Sequence, residues 1–196
     1  MALLHSLRSR RLWLGALSIA TVFGVYIWIT NQPDNNPALL PPILDILASF
    51  KTNLTSGSLL TALGASLFRI AMGFFIGTTL ALIVGCLVGW YKTVEYLLDP
   101  LIEALRPIPP LAYIPIIIIW FGIGEFSRVL IITIACFMVC VVNVIAGMKN
   151  VPQVYVDAAS TMGASRFQVF RTVAVPAATP FIITGYRIAL AAAWHA

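Results

Sequence analysis

Residues 67–91 read LFRIAMGFFIGTTLALIVGCLVGWY, and this stretch decides the fold. Its one charged residue is Arg69, and a helix of this length at 1.5 Å per residue can cross the ~30 Å hydrocarbon core of a bilayer. Only helices and closed barrels satisfy all their backbone polar groups in lipid. The chain has no ten-residue alternating segments typical of a barrel. The sequence therefore predicts transmembrane helices and an all-α fold.

The composition of the whole chain agrees with this interpretation. Of 196 residues, 60% are hydrophobic and only 10% are charged, whereas soluble domains have roughly 25% charged residues. Apolar stretches of near-membrane length occur at five places, so we expect a polytopic helical bundle. The predicted spans are 12–30, 67–91, 108–123, 127–147 and 176–196.

The basic residues predict the orientation of the chain. Arg8, Arg10 and Arg11 precede the first span, which by the positive-inside rule puts residues 1–11 in the cytoplasm. The first span is too long for a signal peptide and is followed by no A-x-A-like site, so we expect a retained anchor in the inner (plasma) membrane. Residues 31–66 then lie outside, and the loop 148–175 lies inside. The net charge of +5 reflects this topology, because no basic stripe with interleaved aromatic residues suggests a nucleic-acid partner.

Small residues recur at every fourth position of the second span. Such small-xxx-small rows allow close approach of another helix. We expect a helix crossing here, because the row drifts around a 3.6-residue helix. The alternative is that glycine is simply common in membrane helices. The members of the row are Gly73, Gly77, Ala81, Gly85 and Gly89.

Two further segments are amphipathic. A helix beginning after Pro42 would place Ile43, Ile46 and Leu47 on one apolar face and rest on the outer membrane surface, although a disordered connector is the alternative. Residues 94–106 predict a second surface helix on the inner side, in which Glu103 and Arg106 could pair.

Prolines interrupt the start of the third span. Each removes an amide donor and disfavours helix in the residue before it, so this span must begin kinked or broken. Freed carbonyls at membrane depth suit a translocation path, but the prolines could equally set only a turn. Arg69 could line such a path or snorkel to the headgroups, and Arg187 could attract an anion, pair structurally or snorkel. The pathway candidates are Pro109, Pro110, Tyr113 and Arg187.

A polar segment, DAASTMGASRFQVFRTVAVP at 157–176, separates the last two spans. We expect Asn150 to cap a helix that begins near Pro152 and ends at Gly163, where a left-handed glycine lets the chain turn. Ser165 with Gln168 predicts a capping box at the start of a second helix, which Phe167 and Phe170 would hold against the bundle. The segment is thus predicted to form two helices joined by a glycine turn, an arrangement that suits docking to a partner. Its composition alone also allows an ordinary loop.

This segment resembles the signature loop of binding-protein-dependent ABC importer permeases, written E-A-A, three residues, G, nine residues, I-x-L-P. The spacing agrees throughout, with aspartate in place of glutamate and valines in place of the longer aliphatic residues. The resemblance implies a coupling helix at 157–165 that sits in a cleft of a cytoplasmic ATPase. The residues assigned to coupling are Asp157, Ala158, Ala159, Gly163, Ala164, Ser165, Arg166 and Pro176.

Residues 106–124, RPIPPLAYIPIIIIWFGIG, are similar to permeases of the nitrate, alkanesulfonate, taurine and bicarbonate group, and the likeness extends from about Leu39 to Trp194. The group implies a type I importer fold, a second permease copy, an ATPase dimer and an extracytoplasmic solute-binding protein. It also implies a small anionic substrate, for which an organic sulfonate is the preferred choice. ATP and Mg²⁺ would bind the ATPases, and no cofactor would bind this chain.

The chain lacks the groups that an enzyme would need. It contains no G-x-x-x-x-G-K-[ST] phosphate loop, and the sequence suggests no metal site or catalytic set of His, Asp and Ser. Cys86, Cys136 and Cys140 lie in predicted spans and are expected to be small buried residues. The apolar run at the C-terminus suggests a truncated permease that lacks at least one span. A non-transporting membrane scaffold is therefore an alternative function, and a secondary transporter is a weaker third.

Overall fold

In the computed structural model, residues 2–33 and 35–196 are described, and all regular elements within these ranges are helical, as predicted. Met1, Asp34 and the side chains of residues 2–12 lie outside this description, so it does not cover the three arginines behind the predicted orientation. The helices are α1 (Ala2–Thr30), α2 (Ile43–Thr55), α3 (Ser58–Trp90), α4 (Lys92–Leu105), α5 (Ile114–Phe121), α6 (Glu125–Lys149), α7 (Gln153–Thr161), α8 (Arg166–Val169) and α9 (Val175–His195). A 3₁₀ turn, Pro110–Tyr113, precedes α5, and a π-helical turn, Phe170–Ala174, joins α8 to α9.

Four helical stretches in the described ranges are long and apolar enough to cross a membrane. They are Trp13–Thr30, Ser58–Trp90, Glu125–Lys149 and Arg166–His195. The predicted third span begins at a break, because the preceding helix α4 and the segment Pro110–Phe121 meet at 91°. The prolines expected to interrupt this span lie at or near the break. Counting the bent pair as one span gives five.

The described residues up to Leu63 form one compact unit. The Tyr26 hydroxyl of α1 donates to the carbonyl of Pro41 at 2.7 Å, and the Asn35 amide donates to the carbonyls of Thr30 and Leu40. These bonds fix the turn after α1. A helix begins after Pro42, as predicted, and forms α2.

Residues 64–196 form the second unit, in which the small-residue row of α3 faces α6. A Cβ on Gly77 would lie 2.5 Å from the carbonyl oxygen of Thr133, and one on Gly89 would lie 2.4 Å from the Cβ of Met148. Gly73 faces Ile132 and Gly85 faces Val144 with similarly little space. The two backbones therefore touch along the whole row, which we call the α3–α6 seam.

The partners of the seam advance along α6 in step with the glycines of α3. A constant offset of this kind means that the two helices run in the same direction. The row of small residues thus packs closely against another helix, as predicted. Since α3 and α6 are parallel, the segment between them must carry the chain back across the bundle, which supports counting the bent α4–α5 pair as a span.

Helix α9 packs on α6 in the opposite direction. A Cβ on Gly147 would meet Phe181, one on Gly185 would meet Asn143, and the Cys136 thiol donates to the carbonyl of Ala189 at 3.4 Å. The three cysteines are buried free thiols, as expected of small core residues. The α9 residues buried in this unit are Ala178, Ile182, Gly185, Ala189 and Ala193.

Ion pairs join the elements at both ends of the parallel helices. Arg69, which is predicted to snorkel or to line a pathway, donates to the Glu125 carboxylate, with Nη2 2.8 Å from Oε1. At the opposite end, Lys149 lies 2.7 Å from one carboxylate oxygen of Glu95 and Lys92 lies 3.0 Å from the other. These contacts tie α3 to α6 at one end and α4 to α6 at the other.

Candidate coupling loop and pathway residues

The loop after α6 begins differently from the expectation. Asn150 does not cap α7, because its side-chain amide donates back to the carbonyl of Ala146 at 2.8 Å. Asn150 thus ends α6, and α7 begins after Pro152 with no side-chain cap. The predicted capping role of Asn150 is wrong because the same residue type can satisfy the last carbonyls of one helix or the first amides of the next.

Helix α7 has two distinct faces. Gln153, Val156 and Ser160 line a cavity on the bundle side. Positions 154, 158 and 162 lie on the opposite side of a 3.6-residue helix, and Val154 and Met162 are 71% and 88% exposed. With Tyr155 at its edge, this outward apolar face of Val154, Tyr155, Ala158 and Met162 has no partner within the described part of the chain; we call it the α7 outer face.

Asp157 lies beside the α7 outer face and is exposed. The Gln153 amide donates to its Oδ1 at 2.9 Å, which holds the carboxylate along the helix. One carboxylate oxygen therefore has an internal donor, and the second can accept a hydrogen bond from a partner.

A Schellman motif ends α7. The amide of Ala164 donates to the carbonyl of Ala159 at 3.1 Å, and the amide of Gly163 donates to the carbonyl of Ser160 at 3.0 Å. Gly163 has φ +84°, a left-handed conformation that favours glycine. A Cβ at Gly163 would meet nothing within 4 Å, so the requirement for glycine here comes from the backbone. Ala159 and Ala164 thus supply the backbone groups that close the turn.

The capping box predicted from Ser165 and Gln168 is present. The backbone N–H of Gln168 donates to the Ser165 hydroxyl at 3.3 Å, and the backbone N–H of Ser165 donates to the side-chain Oε1 of Gln168 at 2.7 Å. Helix α8 then widens into the π-helical turn, where the amide of Val175 donates to the carbonyl of Phe170. Pro176 follows directly and cannot donate to the carbonyl four residues earlier, which accounts for the irregular turn at this point.

An aromatic cluster anchors the second half of the loop. The Phe170 ring lies 5.8 Å from Trp90 and 6.4 Å from Tyr91, and the Arg166 guanidinium lies 5.5 Å above the Tyr91 ring. Phe167, in contrast, is 62% exposed, so only one of the two predicted anchors packs on the bundle. Trp90 and Tyr91 were not among the predicted site residues, although their position at the end of a membrane span is typical of interfacial aromatic residues.

The pathway candidates lie in different surroundings. Pro110 lines a cavity of about 320 Å³ with Arg106 of the α4–α5 break and Asn143 of α6. The Tyr113 hydroxyl is buried and has no hydrogen-bond partner among the described residues. Pro109 is the residue that precedes the 3₁₀ turn. Within one copy of the chain, therefore, Pro109, Pro110 and Tyr113 share a single turn.

Arg187 lies away from this turn. It is exposed on α9, two residues after Gly185, and so lies on the side of the helix that faces away from α6. No ion pair involves Arg187 among the residues that the structure describes. The cavity beside Pro110 does not include it.

Comparison with protein-family models shows the family of the chain. Residues 73–196 match the model of the binding-protein-dependent transport system inner membrane component. The chain belongs to this family. The matched range begins at the first glycine of the α3–α6 seam and contains α6, the complete loop and α9, so it includes the segments on which the resemblance was based.

Individual relatives place the chain in the predicted group. It is 39% identical to the taurine transport system permease protein of Escherichia coli over 95% of this chain and 70% of that protein. It is 41% identical to an ABC transporter permease protein of Methanocaldococcus jannaschii over 82% of this chain and 61% of that protein. A bicarbonate transport system permease protein of Synechococcus elongatus is 36% identical over 67% of this chain and 48% of that protein. The chain thus spans 61% to 70% of the first two relatives, and it is a multi-pass membrane protein of the importer permease family.

Proposed function

We propose that this chain is the transmembrane subunit of an ATP-driven importer for a small anionic solute, with the loop 148–175 in the cytoplasm. It pairs with a second permease copy, receives solute from an extracytoplasmic binding protein and docks two cytoplasmic ATPases. The chain performs no hydrolysis of its own, and ATP with Mg²⁺ binds to the ATPases.

The observation that carries this proposal is the α7 outer face. Apolar side chains exposed on a short helix outside the membrane spans are expected to be buried by a partner. Ala158 at its centre leaves room for close contact, and Asp157 adds a free acceptor at its edge. The Schellman motif and the capping box fix both ends of the turn, so this face is presented on a rigid element, as force transmission requires.

Co-purification with the cognate ATPase tests the docking. Ala158→Gln adds a side chain to a close contact, and we expect about tenfold weaker ATPase retention, because overpacking costs roughly 1–3 kcal/mol. Ala48→Gln is the matched control, since it makes the same substitution at an exposed alanine of α2, outside the loop 148–175. Equal retention by both variants would contradict docking through the α7 outer face.

For the substrate, we propose an organic sulfonate. The relative with the taurine name matches over nearly the whole chain, whereas the bicarbonate relative matches over two thirds of it. Direct binding of taurine, an alkanesulfonate, nitrate and bicarbonate to the cognate binding protein decides among these anions. If the binding protein binds only bicarbonate or only nitrate, that anion is the substrate and not a sulfonate. If none of the four anions is taken up in an ATP-dependent manner, a non-transporting scaffold is favoured.

A further inference from the structure

The cavity on the bundle side of α7 has a volume of about 630 Å³ and extends to the ends of α3 and α6. It is distinct from the α7 outer face, because it uses the opposite side of the same helix. Its polar lining consists of Trp90, Lys92, Lys149, Gln153, Ser160 and Arg166. None of the described lining residues is acidic.

The charges around this cavity leave a positive excess. Glu95 neutralises only part of the charge, because it is shared between Lys92 and Lys149, and Asp99 lies 3.9 Å from Lys149. Arg166 has no carboxylate partner among the described residues and stacks on the Tyr91 ring. A stacked guanidinium still directs its in-plane N–H groups outward, so Arg166 can donate to a ligand.

An unsatisfied donor adds a second and independent observation. The indole Nε1 of Trp90 is buried and has no hydrogen-bond partner among the described residues. A buried N–H without an acceptor costs about 1–3 kcal/mol, so native proteins nearly always supply one. Trp90 also lines the cavity, so a ligand bound there lies beside a ring whose N–H lacks an acceptor.

The cationic side chains favour a negatively charged ligand, and the indole N–H favours a ligand with hydrogen-bond acceptors. A phosphate group meets both requirements. The cavity also lies where two membrane-length helices end, beside the interfacial pair Trp90 and Tyr91, which is the level of lipid headgroups. Basic pockets between transmembrane helices on the cytoplasmic side are typical binding places for anionic lipid headgroups.

We propose that this cavity binds the phosphate group of an anionic phospholipid and thereby links α7 to the ends of α3 and α6. The ligand would contact residues from the α3–α4 junction, the end of α6 and the α7–α8 loop at once. On the proposed function, its occupancy would fix the α7 outer face relative to the bundle, so that the membrane lipid would regulate docking.

The test measures lipid binding to the full chain in an uncharged detergent by native mass spectrometry. Phosphatidylglycerol and phosphatidylcholine are titrated separately, and inorganic phosphate is titrated in a parallel arm with the thermal unfolding midpoint as readout. We expect a preference for phosphatidylglycerol that falls about tenfold in Lys149→Gln and in Arg166→Gln, since each removes a charge-assisted hydrogen bond. Trp90→Phe keeps a ring against Phe170 but lacks the N–H, and we expect a severalfold weaker affinity.

Arg171→Gln is the matched control, because it removes the same charge from the same loop without touching the cavity. Equal affinity of the control and the three variants would overturn the proposal and assign the preference to bulk surface charge. Phosphate binding that is lost in the same variants, without a lipid preference, would keep the anion site and assign it to soluble phosphate. Binding in neither arm would overturn the site. Since lipid binding is measured without the ATPase, a failure of docking does not affect the result.

Discussion

Two regions of the molecule depend on glycine for opposite reasons. In the α3–α6 seam a Cβ has no space, as at Gly77, where it would lie 2.5 Å from the carbonyl oxygen of Thr133. In the loop after α7 a Cβ has ample space, but Gly163 has φ +84°. The seam therefore selects glycine for the absence of a side chain, and the loop selects it for backbone freedom. Substitutions that separate volume from backbone conformation should distinguish the two regions.

The largest effect is expected in the seam. Gly77→Ala pushes a methyl group against a backbone carbonyl that cannot rotate away, so we expect a loss of about 2–3 kcal/mol in the free energy of unfolding. Unfolding in mixed micelles with increasing denaturing detergent measures this change.

Gly64→Ala provides the control, since Gly64 lies in the same helix and a Cβ there meets nothing within 4 Å. Its replacement should be neutral or stabilising by roughly 0.5–1 kcal/mol. A loss of the same size in both variants would mean that the seam is not the cause.

A smaller effect is expected at Gly163. Gly163→Ala imposes a left-handed conformation on a residue with a Cβ, at a cost of about 1–2 kcal/mol, whereas Gly163→Asn should cost less because asparagine tolerates this conformation. Limited proteolysis of residues 159–166 should be faster in the alanine variant than in the asparagine variant. Identical cleavage rates in the two variants would show that backbone conformation does not explain this glycine.

The smallest effect is expected at the capping box. Ser165→Ala removes the hydroxyl that accepts from the backbone N–H of Gln168, which lowers the stability of the helix by about 1 kcal/mol. Ser165→Asp keeps an acceptor at this position. Amide hydrogen exchange at residues 166–169 should accelerate about fivefold in the alanine variant and change little in the aspartate variant. Unchanged exchange in both would mean that the aromatic packing of Phe170 alone holds α8.

Features that depend on a few neighbouring residues could be predicted from the sequence. The capping box at Ser165, the stop at Gly163 and the break at the prolines before α5 follow from local backbone chemistry. The spacing of the small residues in α3 likewise required a neighbouring helix, because such a row is favourable only in close contact.

Features that depend on residues distant in the chain could not be predicted. The choice of α6 as partner of the seam, the pairing of Arg69 with Glu125 and the contact of Phe170 with Trp90 join residues more than fifty positions apart. The role of Asn150 could not be predicted either, because its side chain lies between two helix ends and can form a hydrogen bond at either one. The basic cavity was missed for the same reason, as its cations come from the start of α4, the end of α6 and the start of α8.

The continuity of α8, the π-helical turn and α9 has a mechanical consequence. These elements form one stretch, Arg166–His195, of 30 residues, which is about 45 Å long at 1.5 Å per residue. When this stretch turns as one body about the Schellman turn, a tilt of about 5° moves its far end by about 4 Å. A small displacement of α7 thus becomes a displacement of atomic size at the opposite end of the stretch.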